Sequence, residues 1–289
     1  MIIGIHANLS KPAAAATLAE LAGAAKRLGV RLRTNDPAVA HLTPGAACVA
    51  LSRFSAQLDG LLSLGGDGTV LRAVQALNGA HVPILGINLG HLGFLTSMPD
   101  TQAVAALEAL VFKRYEVAEY PLLDARLWRG ARPKVVARAR ALNDIVMGWG
   151  LSPRVTEIEL CVESQPVASY VCDGLIVATP VGCTGHALSA GGPILDRGLP
   201  AVLIEPICPH TLSNRPLVLP NDRALSLRVT GRTKKLLLSV DGRELGWVEA
   251  GDRLEIRRSS HVAVFAHRPG YSWFRQLTQK LHWRGSNRE

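Results

Sequence analysis

Residues 61–72 read Leu-Leu-Ser-Leu-Gly-Gly-Asp-Gly-Thr-Val-Leu-Arg, an apolar run that stops at a glycine-rich turn with one carboxylate before a helix-like pattern resumes. Glycine has no Cβ, so Gly65, Gly66 and Gly68 can take positive φ and let backbone N–H groups come close to an anion. Asp67 is the only acid there. A carboxylate in an anion-binding turn repels phosphate unless it holds a cation or accepts a proton, and either role points to phosphoryl transfer. The plainer alternative is a strand-to-helix turn in which Asp67 only caps the helix.

Three further stretches set polar groups in apolar surroundings. In 141–146, Asn143 and Asp144 stand side by side at an expected strand end. An amide that both donates and accepts, beside an acid that accepts from a diol, suits a nucleoside, although Asn-Asp is also common turn chemistry. In 172–180 an Asp173-Gly174 pair precedes an apolar strand and leads into 181–193, where glycines and hydroxyls are dense. Such a segment costs chain entropy and has little to pack, so it reads as a ligand surface rather than core, with a flexible surface loop as the alternative.

The elements that must position these groups fall into two patterns. Residues 1–5, 61–64 and 82–87 read as strands, and 13–28, 70–77 and 101–111 as helices. That alternation implies a parallel α/β sheet, which binds ligands beyond the carboxyl ends of its strands, where 65–69 and 88–94 would meet. From residue 115 onward, 124–128, 134–141, 157–162 and 224–230 show β-branched residues and partial alternation between turn residues, an antiparallel β region. The boundary is placed at 112–120, and 271–283 reads as a helix returning to pack elsewhere.

With 289 residues, 48% of them hydrophobic and 19% charged, the chain can bury a full core in one or two domains. The N-terminal residues lack a basic stretch followed by a long apolar run, and every later apolar run is broken well before the length of a membrane span, so a cytoplasmic location is expected. Five cysteines without a Cys-x-x-Cys pair argue against a disulfide framework, and nine scattered histidines argue against structural zinc. A net charge of +9 favours anionic partners, but no basic run is interleaved with aromatics as in a single-strand binder.

Taken together these segments resemble the bacterial NAD kinase (ATP-NAD kinase) family over nearly the whole chain. The likeness is carried by Gly-Gly-Asp-Gly-Thr at 65–69, Gly-Ile-Asn-Leu-Gly-His-Leu-Gly-Phe-Leu-Thr at 86–96, Leu-Asn-Asp at 142–144 and Asp-Gly-Leu-Ile-Val at 173–177. It continues through Leu-Ser-Ala-Gly-Gly-Pro-Ile at 188–194, Ile-Cys-Pro-His-Thr-Leu-Ser-Asn-Arg-Pro at 207–216, Asp241-Gly242, and Tyr-Ser-Trp-Phe at 271–274. The resemblance implies a Rossmann-like α/β domain over 1–115, a β-rich, β-sandwich-like domain over 116–268, and a C-terminal helix and tail over 269–289 returning to the first domain. It further implies transfer of the ATP γ-phosphoryl group to the adenosine 2′-hydroxyl of NAD, a divalent metal ion such as Mg2+, and a homo-oligomer, dimer or tetramer, with no nucleic acid or membrane partner.

By the same matching Asp67 is the catalytic acid of the turn, taking the hydroxyl proton or helping to hold metal and nucleotide in line. Gly68 is a backbone contact, and Arg72, about one helical turn on, is placed to reach a phosphate. Asn143 and Asp144 would bind the ribose and adenine side of NAD. Asp173 and the run Thr184, Gly185, His186, Ala187, Leu188 and Ser189 would line the nicotinamide half, with Arg154 a further candidate. No side chain is assigned as a metal ligand.

The chain departs from the family at 179–187, where Thr-Pro-Val-Gly-Cys-Thr-Gly-His-Ala replaces the usual Thr-Pro-Thr-Gly-Ser-Thr-Ala-Tyr-Ser. Hydroxyls are lost at Val181, Cys183 and Ala187, the phenol becomes His186, and Val171 stands where relatives often have arginine. Each lost hydroxyl would forfeit roughly 0.5–1.5 kcal/mol if it bonded the ligand. Weaker or altered dinucleotide binding is therefore expected, with His186 stacking or hydrogen-bonding in place of tyrosine. Two other readings stay open: a lipid kinase sharing the glycine-rich turn, and a dinucleotide-binding protein without catalysis. Polyphosphate in place of ATP as donor, and NADH in place of NAD as acceptor, are further alternatives.

Overall fold

The computed structural model describes residues 1–90, 93–130, 134–148, 155–211, 213–230 and 235–283. They form two compact units, one of Met1–Glu119 with Ala263–Glu289 and the other of Tyr120–Val262.

The first unit opens with β1 (Ile2–Ala7), α1 (Ala14–Leu28), β2 (Arg31–Thr34), α2 (Pro37–His41), β3 (Ala47–Cys48) and α3 (Leu51–Phe54). It continues with β4 (Gly60–Gly65), α4 (Asp67–Leu77), β5 (Ile84–Asn88), β6 (Met98–Pro99) and α5 (Ala103–Val111). The strands are parallel in the order β3-β2-β1-β4-β5, the doubly wound arrangement of Rossmann-like sheets. β4 and β5 are buried throughout, which is why they read as continuous apolar runs rather than alternating ones. Leu18 and Leu21 of α1 and Leu107 and Leu110 of α5 meet Ile3, Ile5, Leu62, Leu64, Leu85 and Ile87 of the sheet in one core. The alanine-rich α1 favours helix throughout and stops at Gly29, whose φ of 67° turns the chain while its N–H donates back to the last carbonyls.

The turn after β4 is tighter than the sequence indicates. The helix begins at Asp67 rather than at residue 70, so a single extended residue, Gly66, joins strand to helix and its carbonyl accepts from the N–H groups of Thr69 and Val70. Of the three glycines only Gly65 has a positive φ, 157°, and a Cβ there would fall 2.2 Å from Thr69 Oγ1. Gly66 and Gly68 do not use positive φ. A Cβ on either would meet nothing within 4 Å, so these glycines leave the backbone bare on an open side.

The chain then forms β7 (Glu116–Arg129), β8 (Lys134–Ala141), β9 (Asp144–Gly148), β10 (Thr156–Val162), β11 (Gln165–Cys172) and β12 (Gly174–Ala178). A 3-10 turn (Gly182–Thr184) and a short α6 (His186–Ser189) interrupt the strands. After them come β13 (Ala201–Ile207), β14 (Leu217–Pro220), β15 (Leu225–Thr230), β16 (Lys235–Val240), β17 (Arg243–Glu249) and β18 (Arg253–His267), and α7 (Trp273–Lys280) closes the chain. Within the second unit one sheet has the order β14-β13-β12-β9-β16-β17, and β11-β10-β15-β18 with β7 and β8 form the other, giving a β-sandwich. In the first unit α7 packs Leu277 inward, and Phe265 at the end of β18 pairs in parallel with Ile84.

β9 and β12 are also buried along their whole length because alternate residues feed two cores. Ile145, Met147, Leu175 and Val177 join the sandwich core with Leu160, Leu227 and Leu238, whereas Val146, Ile176 and Ala178 turn to a smaller cluster with Cys183, Ala187 and Leu203. The 3-10 turn crosses β9 so closely that a Cβ on Gly182 would lie 2.0 Å from the Asn143 carbonyl oxygen. Gly182→Ala is therefore expected to destabilise the protein by about 2–3 kcal/mol, read by chemical denaturation. Gly68→Ala, inside α4 with nothing near the new methyl, is expected to be neutral or slightly stabilising. Equal losses in the two variants would contradict this packing.

Candidate active site

At the carboxyl ends of the parallel strands in the first unit, the 65–69 turn and the loop after β5 come together through Asp67. Its Oδ2 accepts the Phe94 N–H at 2.8 Å and its Oδ1 the Leu95 N–H at 2.8 Å. Gly93 is required beside them, since a Cβ there would fall 2.0 Å from Asp67 Oδ1. Both oxygens keep further lone-pair capacity, and the side chain is only half-buried. Asp67 also lies in the first turn of α4, where helix N–H groups favour a negative charge.

One cation is bonded directly to this turn. Arg72 is exposed and its Nη2 donates to Thr69 Oγ1 at 3.3 Å. His6, at the end of β1, has its pKa lowered first by burial and then by the charge of Arg72, which keeps the imidazole neutral beside the guanidinium. Lys11 Nζ comes within 3.9 Å of the position a Cβ on Gly90 would occupy, and the Asn88 side chain closes that loop by bonding both the N–H and the carbonyl of Gly90. His6 and Lys11 were not singled out from sequence, because neither belongs to a motif.

In the second unit the organising group is Asp241. Its carboxylate accepts from the N–H groups of Leu142 at 2.9 Å, Asn143 at 2.8 Å and Asp144 at 3.2 Å, and its own N–H donates to the Asp144 carbonyl at 2.9 Å. Asp241 and Gly242, with φ of 49° and 73°, turn the chain between β16 and β17, so the tight turn aims this carboxylate at the start of β9. Thr179 secures the other side, its hydroxyl donating to the Leu142 carbonyl and its N–H to that of Asn143. Asn143 and Asp144 are thereby brought together with Gly185, whose Cβ position is 3.5 Å from Asn143 Nδ2 and 4.0 Å from Asp144 Oδ2. The Asn143 Oδ1 atom is buried without a hydrogen-bond partner. Burial, and then the Asp241 charge, push the Asp144 carboxyl up to about 7.

The 181–192 segment is neither an open loop nor a row of outward hydroxyls. Val181, Cys183 and Ala187 are buried, the last two in the cluster with Val146, Ile176 and Leu203, and burial pushes the Cys183 thiol up to about 12. These three side chains are buried rather than turned outward. Thr184 is also turned inward, its hydroxyl donating to the Val181 carbonyl at 3.1 Å. His186 and Ser189 are exposed and Leu188 half-buried, so the outward face of α6 is what remains for a ligand. Beneath this segment Glu205 is 4% exposed with Oε2 unpartnered, and burial raises its carboxyl to about 7.

Asp173 lies just before β12, partly exposed, with His210 Nε2 3.7 Å from its Oδ1. Arg154 lies outside the described residues. Asp241 and His210 were quoted from sequence only as motif members. An Asp-Gly pair signals a turn, but its contact with residues a hundred positions away leaves no local trace.

Comparison with known proteins places these features in one family. Residues 40–115 match the family model of the ATP-NAD kinase N-terminal domain and residues 142–268 that of the ATP-NAD kinase C-terminal domain. The NAD kinase of Symbiobacterium thermophilum is 37% identical over 274 residues, covering 95% of this chain and 96% of that protein. The NAD kinase of Moorella thermoacetica is 35% identical over 99% of this chain and 91% of its own length, and that of Burkholderia pseudomallei 36% identical over 97% and 93%. Among solved structures, yeast NADH kinase complexed with NADH superposes with a TM-score of 0.88 at 25% identity, covering all of this chain and 89% of that one. An NAD kinase from Archaeoglobus fulgidus in complex with ATP gives a TM-score of 0.76 at 28% identity, covering 99% and 100%. With both domain types matched and relatives aligned almost end to end, the chain belongs to the NAD kinase family.

Proposed function

We infer that this protein transfers the γ-phosphoryl group of ATP to the adenosine 2′-hydroxyl of NAD, giving NADP and ADP. The observation that carries the reading is Asp67: a half-buried carboxylate fixed by two backbone amides, in a glycine-bare turn to which Arg72 is bonded through Thr69. The bond formed joins the 2′-oxygen to the γ-phosphorus, and the bond to the β,γ-bridging oxygen breaks as ADP leaves. The hydroxyl proton passes to a free lone pair of Asp67. Arg72 and the bare backbone at Gly68 balance the phosphate charge. Asn143 and Asp144 bind the ribose and adenine of the acceptor, and Asp173, Gly185, His186, Leu188 and Ser189 its nicotinamide half, with the backbone of Thr184 and Ala187 shaping that face. In this reading residues 1–115 carry the transfer turn and 116–268 the dinucleotide face. The bound NADH of the yeast relative and the bound ATP of the archaeal one support both substrates.

Among the described residues no three of His, Cys, Asp and Glu gather as a metal-holding group, and both Asp67 oxygens already accept loop amides. The protein side chains present do not make a Mg2+ cage. The divalent ion is proposed to arrive on the ATP phosphates, which supply their own oxygen ligands, and no step above passes through it. A homo-oligomer, dimer or tetramer, is proposed from family membership and is tested by light scattering of the purified protein. A cytoplasmic location belongs to the same reading; no helix among the described residues is long and apolar enough to cross a membrane.

Purified protein with Mg2+, ATP and NAD is expected to form NADP, with NADH, polyphosphate and diacylglycerol as comparison substrates. Binding of NAD without NADP formation would favour the non-catalytic reading, and phosphorylation of the lipid alone the lipid kinase. His186→Ala is expected to raise KM for NAD by about tenfold, on the scale of one lost stack or hydrogen bond, with kcat little changed. An unchanged KM would remove His186 from the ligand face.

Asp144 supplies a pH test. Its carboxyl ionises near 7 in the folded chain against an ordinary 3.8, so between these values the folded state holds a proton that the unfolded state has released. Its contribution to stability therefore falls as pH rises through that window and stays low above it. Asp144→Asn is expected to gain on the wild type from pH 4 to pH 8, by on the order of 3 kcal/mol in denaturation midpoints. A constant difference across that range would show that Asp144 is ionised as usual.

A further inference from the structure

Gln276, on the buried side of α7, reaches the same loop that holds Asp67. It is 5% exposed, and its Nε2 donates to the carbonyls of Gly93 at 2.7 Å and Thr96 at 2.8 Å. Between those carbonyls lie the Phe94 and Leu95 N–H groups that bond the two oxygens of Asp67, while the Gly93 N–H donates to Thr96 Oγ1 at 3.3 Å. Loop 93–96 is thus held by its carbonyls on one side chain and by its amides on another. A primary amide has two donor hydrogens and matches a pair of carbonyls, which neither a hydrocarbon nor a carboxylate can do. Tyr271 fixes which way that amide faces by donating its hydroxyl to Gln276 Oε1, and the Tyr271 ring stacks on His267 with centroids 4.0 Å apart and planes 5° from parallel.

We propose that Gln276 is a positioning residue for phosphoryl transfer, holding loop 93–96 so that its two amides set the orientation of the Asp67 carboxylate. The proposal rests on the reading of Asp67 as the group that takes the hydroxyl proton. A leucine at 276 would fill the same space and leave two buried carbonyls unpaired, so the loop would be free to settle differently against Asp67. Gly93 makes the arrangement sensitive, because it packs directly on the carboxylate with no room to shift toward it.

The test compares the full-length wild type with Gln276→Leu, Gln276→Glu and Tyr271→Phe, by kcat and KM for NAD, the pH dependence of kcat, and amide hydrogen exchange at Phe94 and Leu95. Gln276→Leu is expected to lower kcat by about tenfold or more at unchanged KM, with exchange at both amides accelerated by a similar factor. Gln276→Glu keeps the volume but sets a carboxylate against two carbonyls at neutral pH. Its kcat should recover in part as pH falls and the protonated acid donates to one of them. Tyr271→Phe keeps the ring for the stack on His267 and should show a smaller loss in the same direction. Wild-type kcat in Gln276→Leu, or unchanged exchange at Phe94 and Leu95, overturns the proposal. So does a kcat loss matched by an equal rise in KM with no pH response in Gln276→Glu, the pattern of a general structural defect. If the wild type itself forms no NADP, the functional reading fails, while exchange at the two amides still decides whether Gln276 holds the loop.

Discussion

The bond pair between the Asp67 carboxylate and the N–H groups of Phe94 and Leu95 is the constraint on which the rest of the first unit's chemistry depends. A free aspartate at the start of a helix would rotate and accept from whichever donor was nearest. Two amides delivered by one loop, with a glycine packed on the carboxylate, leave it one orientation. The parallel strands β4 and β5 are the reason the two segments meet, since both turns leave the sheet at the same end. Fixing the acid in advance removes a reorganisation that would otherwise be needed during the reaction.

The second unit uses the same device for a different end. Asp241 gathers three successive amides at the start of β9, and in doing so places Asn143 and Asp144 side by side under the 3-10 turn. There the buried acid is Asp144, and burial together with the Asp241 charge raises its carboxyl to about 7, so near neutrality both the acid and the carboxylate are populated. The two aspartates therefore differ in kind. Asp67 is half-buried, its two oxygens each accepting one loop amide and keeping a further lone pair. Asp144 is enclosed, able to donate as well as accept, as a group that reads a ribose hydroxyl can be.

Much of this was legible in the residues. The Gly-Gly-Asp-Gly-Thr string after an apolar strand marked Asp67, and the alternation of strands and helices marked the parallel sheet that presents it. The short strands β2 and β3 were not read, because four and two residues give no periodicity to count. Val181, Cys183 and Ala187 stood out in sequence because their counterparts in the family carry hydroxyls that could bond a ligand. In a turn without regular period nothing in sequence tells an inward side chain from an outward one, and here all three point to core. Gln276 carried no signal at all: a glutamine in a polar amphipathic helix looks like surface until its partners are seen across the unit. What escaped the sequence was long-range hydrogen bonding by ordinary residues, which leaves no pattern in the neighbouring positions.

The central claim is that Asp67 takes the proton from the acceptor hydroxyl as the phosphoryl group is transferred. Single-turnover transfer from ATP to NAD, measured in wild type and Asp67→Asn with NAD binding followed in the same preparations, tests it most directly. The account predicts that the asparagine variant binds NAD with near wild-type affinity yet transfers the phosphoryl group at least about 10²-fold more slowly. Transfer within a few-fold of wild type in a variant that still binds NAD would contradict it.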